Sequence, residues 1–225
     1  IWGALINSGK FKWFVGDSQY NVDELIHCGV NKKQCSVIPP FNLLQDFENT
    51  APATKIKKTL KNIENKNFKL LFSAHGLPES KIKKGDPYQW HVEETVKGII
   101  SKLKNDNLDY IISYQSSVGP MKWIGPFTDA EIIKYSKEKK GIVIVPVAFV
   151  SEHSETLVEL DIEYKKLAEK NGCTFYKRVP ALGIEENFIK GLAELVLQEQ
   201  TRDNFVSSIM CSNKYVKCPC LEIRV

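Results

Sequence analysis

From about residue 67 onward the chain alternates between short, almost wholly apolar runs and longer stretches where apolar residues return every three or four positions. Phe68 to Ala74 is apolar apart from Lys69 and Ser73, and a loop with Gly76, Pro78, Gly85 and Pro87 follows. Val96, Ile99, Ile100 and Leu103 then recur at helical spacing, so this segment predicts a strand and then a helix. The unit repeats as Tyr110 to Tyr114 before Asp129 to Tyr135, as Ile142 to Val147 before Glu155 to Lys170, and as Cys173 to Tyr176 before Glu185 to Leu197. Strands with no polar alternation are covered on both faces. The repeated order therefore predicts an α/β fold, a parallel sheet with helices on both faces. In such sheets ligands meet the carboxyl ends of the strands.

Residues 1–66 carry weaker signals. Val37 to Phe41 reads as a loop leaving a strand and Thr54 to Ile63 as a helix, while the first thirty residues show no clear period. The organisation expected is a remnant of an N-terminal unit over 1–66, an α/β domain over 67–200, and a Cys-rich tail over 201–225. The sequence opens at Ile1 without Met and without a basic-flanked apolar leader, which suggests a trimmed or partial chain.

Composition narrows the function classes. The 225 residues are 43% apolar and 26% charged, enough to bury a core without disulfide staples. Net charge is +4 with scattered lysines, so no nucleic-acid partner is expected. The longest apolar run, Gly141 to Val150, falls well short of the roughly 18 to 20 residues that span a bilayer. A cytoplasmic location follows, with at most peripheral contact to the inner membrane. The six cysteines are Cys28, Cys35, Cys173, Cys211, Cys218 and Cys220, and with no secretion signal they read as thiols or metal ligands.

Three places carry candidate chemistry. His75 stands where the first buried strand ends, next to Gly76 and Pro78, the position of a catalytic imidazole or of a merely hydrogen-bonded one. After the third strand, His153 precedes Glu155, Glu159 and Glu163, which recur every four residues and so share one helix face. An opposite stripe of Leu157, Leu160, Tyr164 and Leu167 accounts for burial, leaving the carboxylates as a solvated face or as part of the crevice. Imidazole plus carboxylates suits a first-row divalent metal, and the lack of tight ligand spacing favours a transient metal path. The loop after the second strand bears Trp123 with hydroxyl or amide groups at Tyr114, Gln115 and Ser116, a wall for a flat apolar ligand with polar anchors or plain loop packing. There is no GxGxxG or phosphate-cradling loop.

Four segments, Phe72-Ser-Ala-His-Gly-Leu-Pro78, Gly85-Asp-Pro-Tyr88, Tyr114-Gln-Ser-Ser-Val-Gly-Pro-Met-Lys-Trp123 and Val147-Ala-Phe-Val-Ser-Glu-His-Ser-Glu-Thr-Leu-Val-Glu-Leu-Asp161, together resemble ferrochelatases over about residues 35 to 220. The resemblance implies two Rossmann-like, chelatase-type domains around a cleft and insertion of Fe²⁺ into protoporphyrin IX with release of two protons. It implies His75 and Glu155 as the catalytic pair, a metal-handling set of His75, His153, Glu155, Glu159 and Glu163, and a porphyrin wall of Trp123, Ser116 and Tyr114. Ser117 departs from the basic residue common after Gln-Ser, which implies a weaker hold on a propionate or neighbouring carboxylate.

The tail Cys211-x6-Cys218-Pro-Cys220 also resembles bacterial ferrochelatases with a [2Fe–2S] cluster. By that resemblance Cys35, Cys211, Cys218 and Cys220 are its ligands, with free thiols the alternative and Cys28 and Cys173 bystanders. Two further readings stay open: a shortened chain that binds porphyrin without metallating it, and a chelatase for another tetrapyrrole or for Co²⁺.

Overall fold

The computed structural model describes residues 14–16, 26–27, 35–37, 51–64, 67–105, 107–201 and 214–216, with side chains for 26–27, 52–64, 67–105, 107–194 and 214–216. The main body is a four-stranded parallel sheet in the order β4-β3-β5-β6, formed by β3 (Phe68–His75), β4 (Tyr110–Gln115), β5 (Gly141–Pro146) and β6 (Tyr176–Arg178). Before it, β1 (Phe14–Gly16) and β2 (Cys35–Val37) pair in parallel as a separate two-stranded sheet. The expected α/β class is borne out.

Both faces of the sheet are buried, as the unbroken apolar runs require. Leu70, Phe72 and Ala74 of β3 face one core, shared with Val143 and Val145 of β5 and with Val92, Val96, Ile99 and Leu103 of α3 (Tyr88–Leu103). The same core takes Ala53 and Ile56 from α1 (Ala51–Lys61), whose lysines 57, 58 and 61 stay on the water side. Helix α1 therefore packs with the domain that follows it. Leu71, Ile142 and Ile144 face the second core, against Ile132 and Tyr135 of α4 (Thr128–Lys137) and against Leu160 and Ala168 farther on. Complete burial of a side chain such as Phe72 contributes roughly 1.5–3 kcal/mol.

Connectivity decides where a ligand can bind. The step from β3 to β4 runs one way along the sheet with α3 on the first face. The later steps run the other way with their helices on the second face, as right-handed crossovers demand. Adjacent strands β3 and β5 thus send their chains to opposite faces, opening a crevice beyond their carboxyl ends. His75 ends β3, and the segment after β5 enters the same region.

Three elements differ from expectation. The loop after β3 contains a short helix, α2 (Glu79–Lys83), hidden in the sequence by flanking Gly and Pro. The last strand is Tyr176–Arg178 rather than Cys173 to Tyr176, and Cys173 is half-buried before it with its thiol on the Phe175 carbonyl at 2.8 Å. Glu155–Glu163 is a π-helix that passes into α5 (Tyr164–Lys170), so the expected regular helix is corrected. The i→i+5 winding turns each residue less than an α-helix does. Leu157, placed in the buried stripe by α spacing, is accordingly 47% exposed while Leu160 is fully buried. The final helix, α6 (Glu186–Thr201), follows β6.

An ion cluster ties the segment after β5 to the sheet. The Arg178 guanidinium grips Asp161 through Nε at 2.7 Å and Nη2 at 2.8 Å, and its Nη1 donates to Glu152 at 3.0 Å. Glu152 also accepts the Ala181 N–H at 2.9 Å. Burial pushes the Glu152 carboxyl up, but the hydrogen bonds from Arg178, Thr156 and Ala181 outweigh it and hold it below its ordinary 4.5. A carboxyl lowered in the folded state stabilises above its unfolded value and loses that stabilisation as pH falls through the folded one. Urea midpoints measured from about pH 6 down to about pH 3 are expected to fall less steeply in Glu152→Gln than in the parent chain. Equal slopes would remove Glu152 from the acid response.

Candidate functional site

The crevice is built from three strand ends. Pairing of β3 with β4 sets His75 beside Gln115, and side chains alternate along both strands. His75 and Gln115 therefore share the face that carries the π-helix, while Ala74 and Tyr114 share the opposite core. Ser116 and Ala148, just past β4 and β5, both hold positive φ, at 61° and 65°. For residues with a Cβ this costs about 1–2 kcal/mol each. Such strain concentrates where surrounding contacts over-determine a functional loop.

The His75 ring is oriented through its Nδ1, which lies 2.7 Å from the Gly76 carbonyl oxygen. A carbonyl only accepts, so Nδ1 carries the hydrogen and Nε2 of the neutral ring is a bare lone pair. That lone pair stands 3.4 Å from Glu155 Oε1. Two acceptors facing each other across such a gap call for a proton or a metal ion between them. The backbone behind the ring is pinned as well: Tyr88 OH donates to the His75 carbonyl at 2.9 Å. Burial, with the charges of Asp86 and Glu155, pushes the Tyr88 hydroxyl well above its usual range, so it remains a donor.

His153 approaches the other carboxylate oxygen, its Nδ1 3.8 Å from Glu155 Oε2. The same Nδ1 accepts the Glu155 N–H at 3.2 Å, which leaves any ring proton of the neutral form on Nε2. Phe149 packs on this imidazole with ring centroids 5.2 Å apart. His75, His153 and Glu155 are thus brought together by the fold.

The acidic ladder does not converge with them. Glu159 accepts from Ser116 N at 3.0 Å and Tyr164 OH at 2.9 Å on one oxygen, and from Ser116 Oγ at 2.6 Å and Gln115 Nε2 at 2.9 Å on the other. Glu163 is exposed eight residues beyond Glu155. Among the described residues no group of three or more His, Cys, Asp or Glu side chains is arranged to hold a metal ion. The expected five-residue metal set is therefore not one ligand cluster, because four hydrogen bonds already occupy Glu159.

Trp123 reaches the site through a zipper between two loops. Glu79 N donates to the Lys122 carbonyl at 2.8 Å and Ile124 N to the Leu77 carbonyl at 2.9 Å, laying the Trp123 ring over Gly76. A Cβ on Gly76 would meet the indole at 3.2 Å and the Gln115 carbonyl at 3.0 Å, so any larger residue would have to push these neighbours back by a few tenths of an ångström. Ser116 lies in the same region, but its hydroxyl is spent on Glu159. Tyr114 is corrected outright as a wall residue: it is 3% exposed in the first core, and its buried hydroxyl has no hydrogen-bond partner. Of the proposed cluster ligands, Cys211, Cys218 and Cys220 lie outside the described residues, and Cys35 is described only as backbone of β2.

Sequence reasoning named Gln115 but missed the other polar groups beneath the site. Ser73, Ser113, Gln115 and Thr128 are buried together, linked by Ser73 Oγ to Gln115 Oε1 at 2.7 Å and Thr128 Oγ1 to Ser113 Oγ at 2.9 Å. Their signal was present: hydroxyls and an amide inside strands that are otherwise apolar.

Comparison with known proteins places the chain in a family. A family model described as Ferrochelatase matches residues 15–200. The chain is 56% identical over 182 residues to the ferrochelatase of Pelagibacter ubique, covering 79% of this chain and 52% of that one. It is 50% identical over 163 residues to the ferrochelatase of Rickettsia felis, covering 70% and 47%, and 50% identical over 162 residues to that of Rickettsia prowazekii, covering 69% and 47%. The chain spans about half the length of these curated relatives. From the strand-end histidine, the facing glutamate and this matched span together, the chain belongs to the ferrochelatase family.

Proposed function

We propose that the site inserts Fe²⁺ into protoporphyrin IX, forming protohaem and releasing two protons, and that the protein acts as a lyase at the end of haem synthesis. The observation that carries this is the bare Nε2 of His75 facing the Glu155 carboxylate across 3.4 Å at the crevice edge. Metallation needs a base for the two pyrrole N–H protons and a ligand that strips water from the incoming ion. His75 Nε2 takes one pyrrole proton while Nδ1–H stays on the Gly76 carbonyl, Glu155 stabilises the imidazolium that results, and the half-exposed ring passes that proton to solvent before taking the second. Glu155 also offers its second oxygen to the ferrous substrate, with His153 alongside. Trp123 supplies the aromatic wall for the macrocycle, and Glu163 extends the carboxylates toward solvent for metal entry.

The finer readings rest on composition and pattern. A [2Fe–2S] cluster on Cys35, Cys211, Cys218 and Cys220 rests on the resemblance of the tail to cluster-bearing bacterial ferrochelatases, in which four thiolates complete such a cluster. No step above passes through it. No described helix is long and apolar enough to cross a membrane. A cytoplasmic protein touching the inner membrane peripherally fits the apolar product and the exposed Val118 and Met121 on the Trp123 loop.

Zinc insertion is the convenient test of the main reading. Protoporphyrin mixed with Zn²⁺ and the protein is expected to develop the fluorescence of the zinc porphyrin over many turnovers. Porphyrin bound stoichiometrically, with no metallation above the protein-free rate, would overturn it.

A further inference from the structure

We infer that Gln115 is a positioning residue that sets the gap between Glu155 and His75, with Glu159 as its anchor and not as a metal carrier; this rests on the metal-insertion reading above. Gln115 is 1% exposed, and every polar atom of its amide is used. Oε1 accepts from Ser73 Oγ at 2.7 Å, and Nε2 donates to the Glu155 carbonyl at 3.0 Å and to Glu159 Oε2 at 2.9 Å. One amide therefore holds the backbone of the residue whose carboxylate faces His75, and it does so from the β4 position registered with His75 itself. The orientation is forced: reversed, the amide oxygen would face both the Glu159 carboxylate and the Glu155 carbonyl.

Glu159 completes the latch. A carboxylate offers about four lone-pair sites, and Ser116 N, Ser116 Oγ, Tyr164 OH and Gln115 Nε2 fill them. No site remains for a passing ion unless the latch opens. Glu159 itself belongs to the π-helix, and its donors come from the end of β4, the strained Ser116 turn and the start of α5, so the carboxylate ties these segments together around the His75–Glu155 gap.

The test pairs an activity readout with a structural one. Gln115→Leu keeps the volume and removes these three bonds together with the longer one from Nε2 to Ser116 Oγ at 3.5 Å. It is expected to lower kcat for zinc insertion by about 10- to 100-fold, the scale of a misplaced catalytic group, with KM for porphyrin within about twofold. Amide hydrogen exchange over 155–160 is expected to quicken by at least about tenfold while that of 88–103 stays unchanged. Glu159→Gln is expected to reduce kcat with KM for the metal unchanged, whereas a metal carrier would show the rise in metal KM. Unchanged exchange over 155–160 in Gln115→Leu overturns the latch even if the parent chain proves inactive. An active parent with unaltered kcat in a Gln115→Leu variant that exchanges faster overturns its link to catalysis alone.

Discussion

Replacing His75 with Ala is expected to lower kcat for metal insertion by about 10²–10⁴-fold, the range of a general base removed from a positioned site. Porphyrin affinity should hardly move. The imidazole sits at the edge of the crevice and is half-exposed, so its removal opens little buried apolar surface. The Trp123 wall is held independently, by the loop zipper and by the indole N–H on the Val118 carbonyl at 3.0 Å. What is lost is the acceptor for pyrrole protons, which neither neighbour replaces. His153 Nδ1 is engaged by the Glu155 N–H, and the Glu155 carboxylate is committed to the incoming divalent ion. Binding measured by porphyrin fluorescence, beside turnover, separates the two effects. Full turnover in the variant would remove His75 from the chemistry.

Glu155→Gln is the second large effect, expected at about 10²–10³-fold in kcat. The substitution keeps shape and hydrogen-bonding reach but removes the charge that stabilises the imidazolium and attracts the divalent ion. Its backbone contacts survive: the carbonyl still accepts from Gln115 and the N–H still donates to His153. The π-helix is therefore expected to stay in place, with an unchanged far-ultraviolet spectrum and unfolding midpoint. Parent-like kcat with a folded protein would show that the carboxylate plays no part in insertion.

Much of this arrangement was legible in the residues because burial on two faces leaves a plain mark. The apolar runs located β3, β4 and β5 to within a residue or so, and the rule that sites follow strand ends led to His75 and onward to Glu155. The loop after β4 was legible in place, but which of its adjacent polar groups, Tyr114, Gln115 and Ser116, faces the site was not. Side chains alternate, and the register His75↔Gln115 sets Gln115 on the His75 face while Tyr114 enters the first core. The π-helix was hidden because carboxylates four apart stay near one face in either winding, so the ladder looked the same. Only Leu157, turned to solvent, exposes the difference. The Glu152–Arg178–Asp161 cluster joins residues far apart in the chain, which no local period can reveal.

The proposed function has the paired His75 and Glu155 metallate protoporphyrin with ferrous iron. Its most direct test is anaerobic mixing of protoporphyrin IX and Fe²⁺ with catalytic amounts of the protein, followed by the absorbance of protohaem. The account predicts protohaem in multiple equivalents per protein, forming faster than in protein-free controls. Bound porphyrin that remains metal-free, or iron insertion no faster than in those controls, would contradict it.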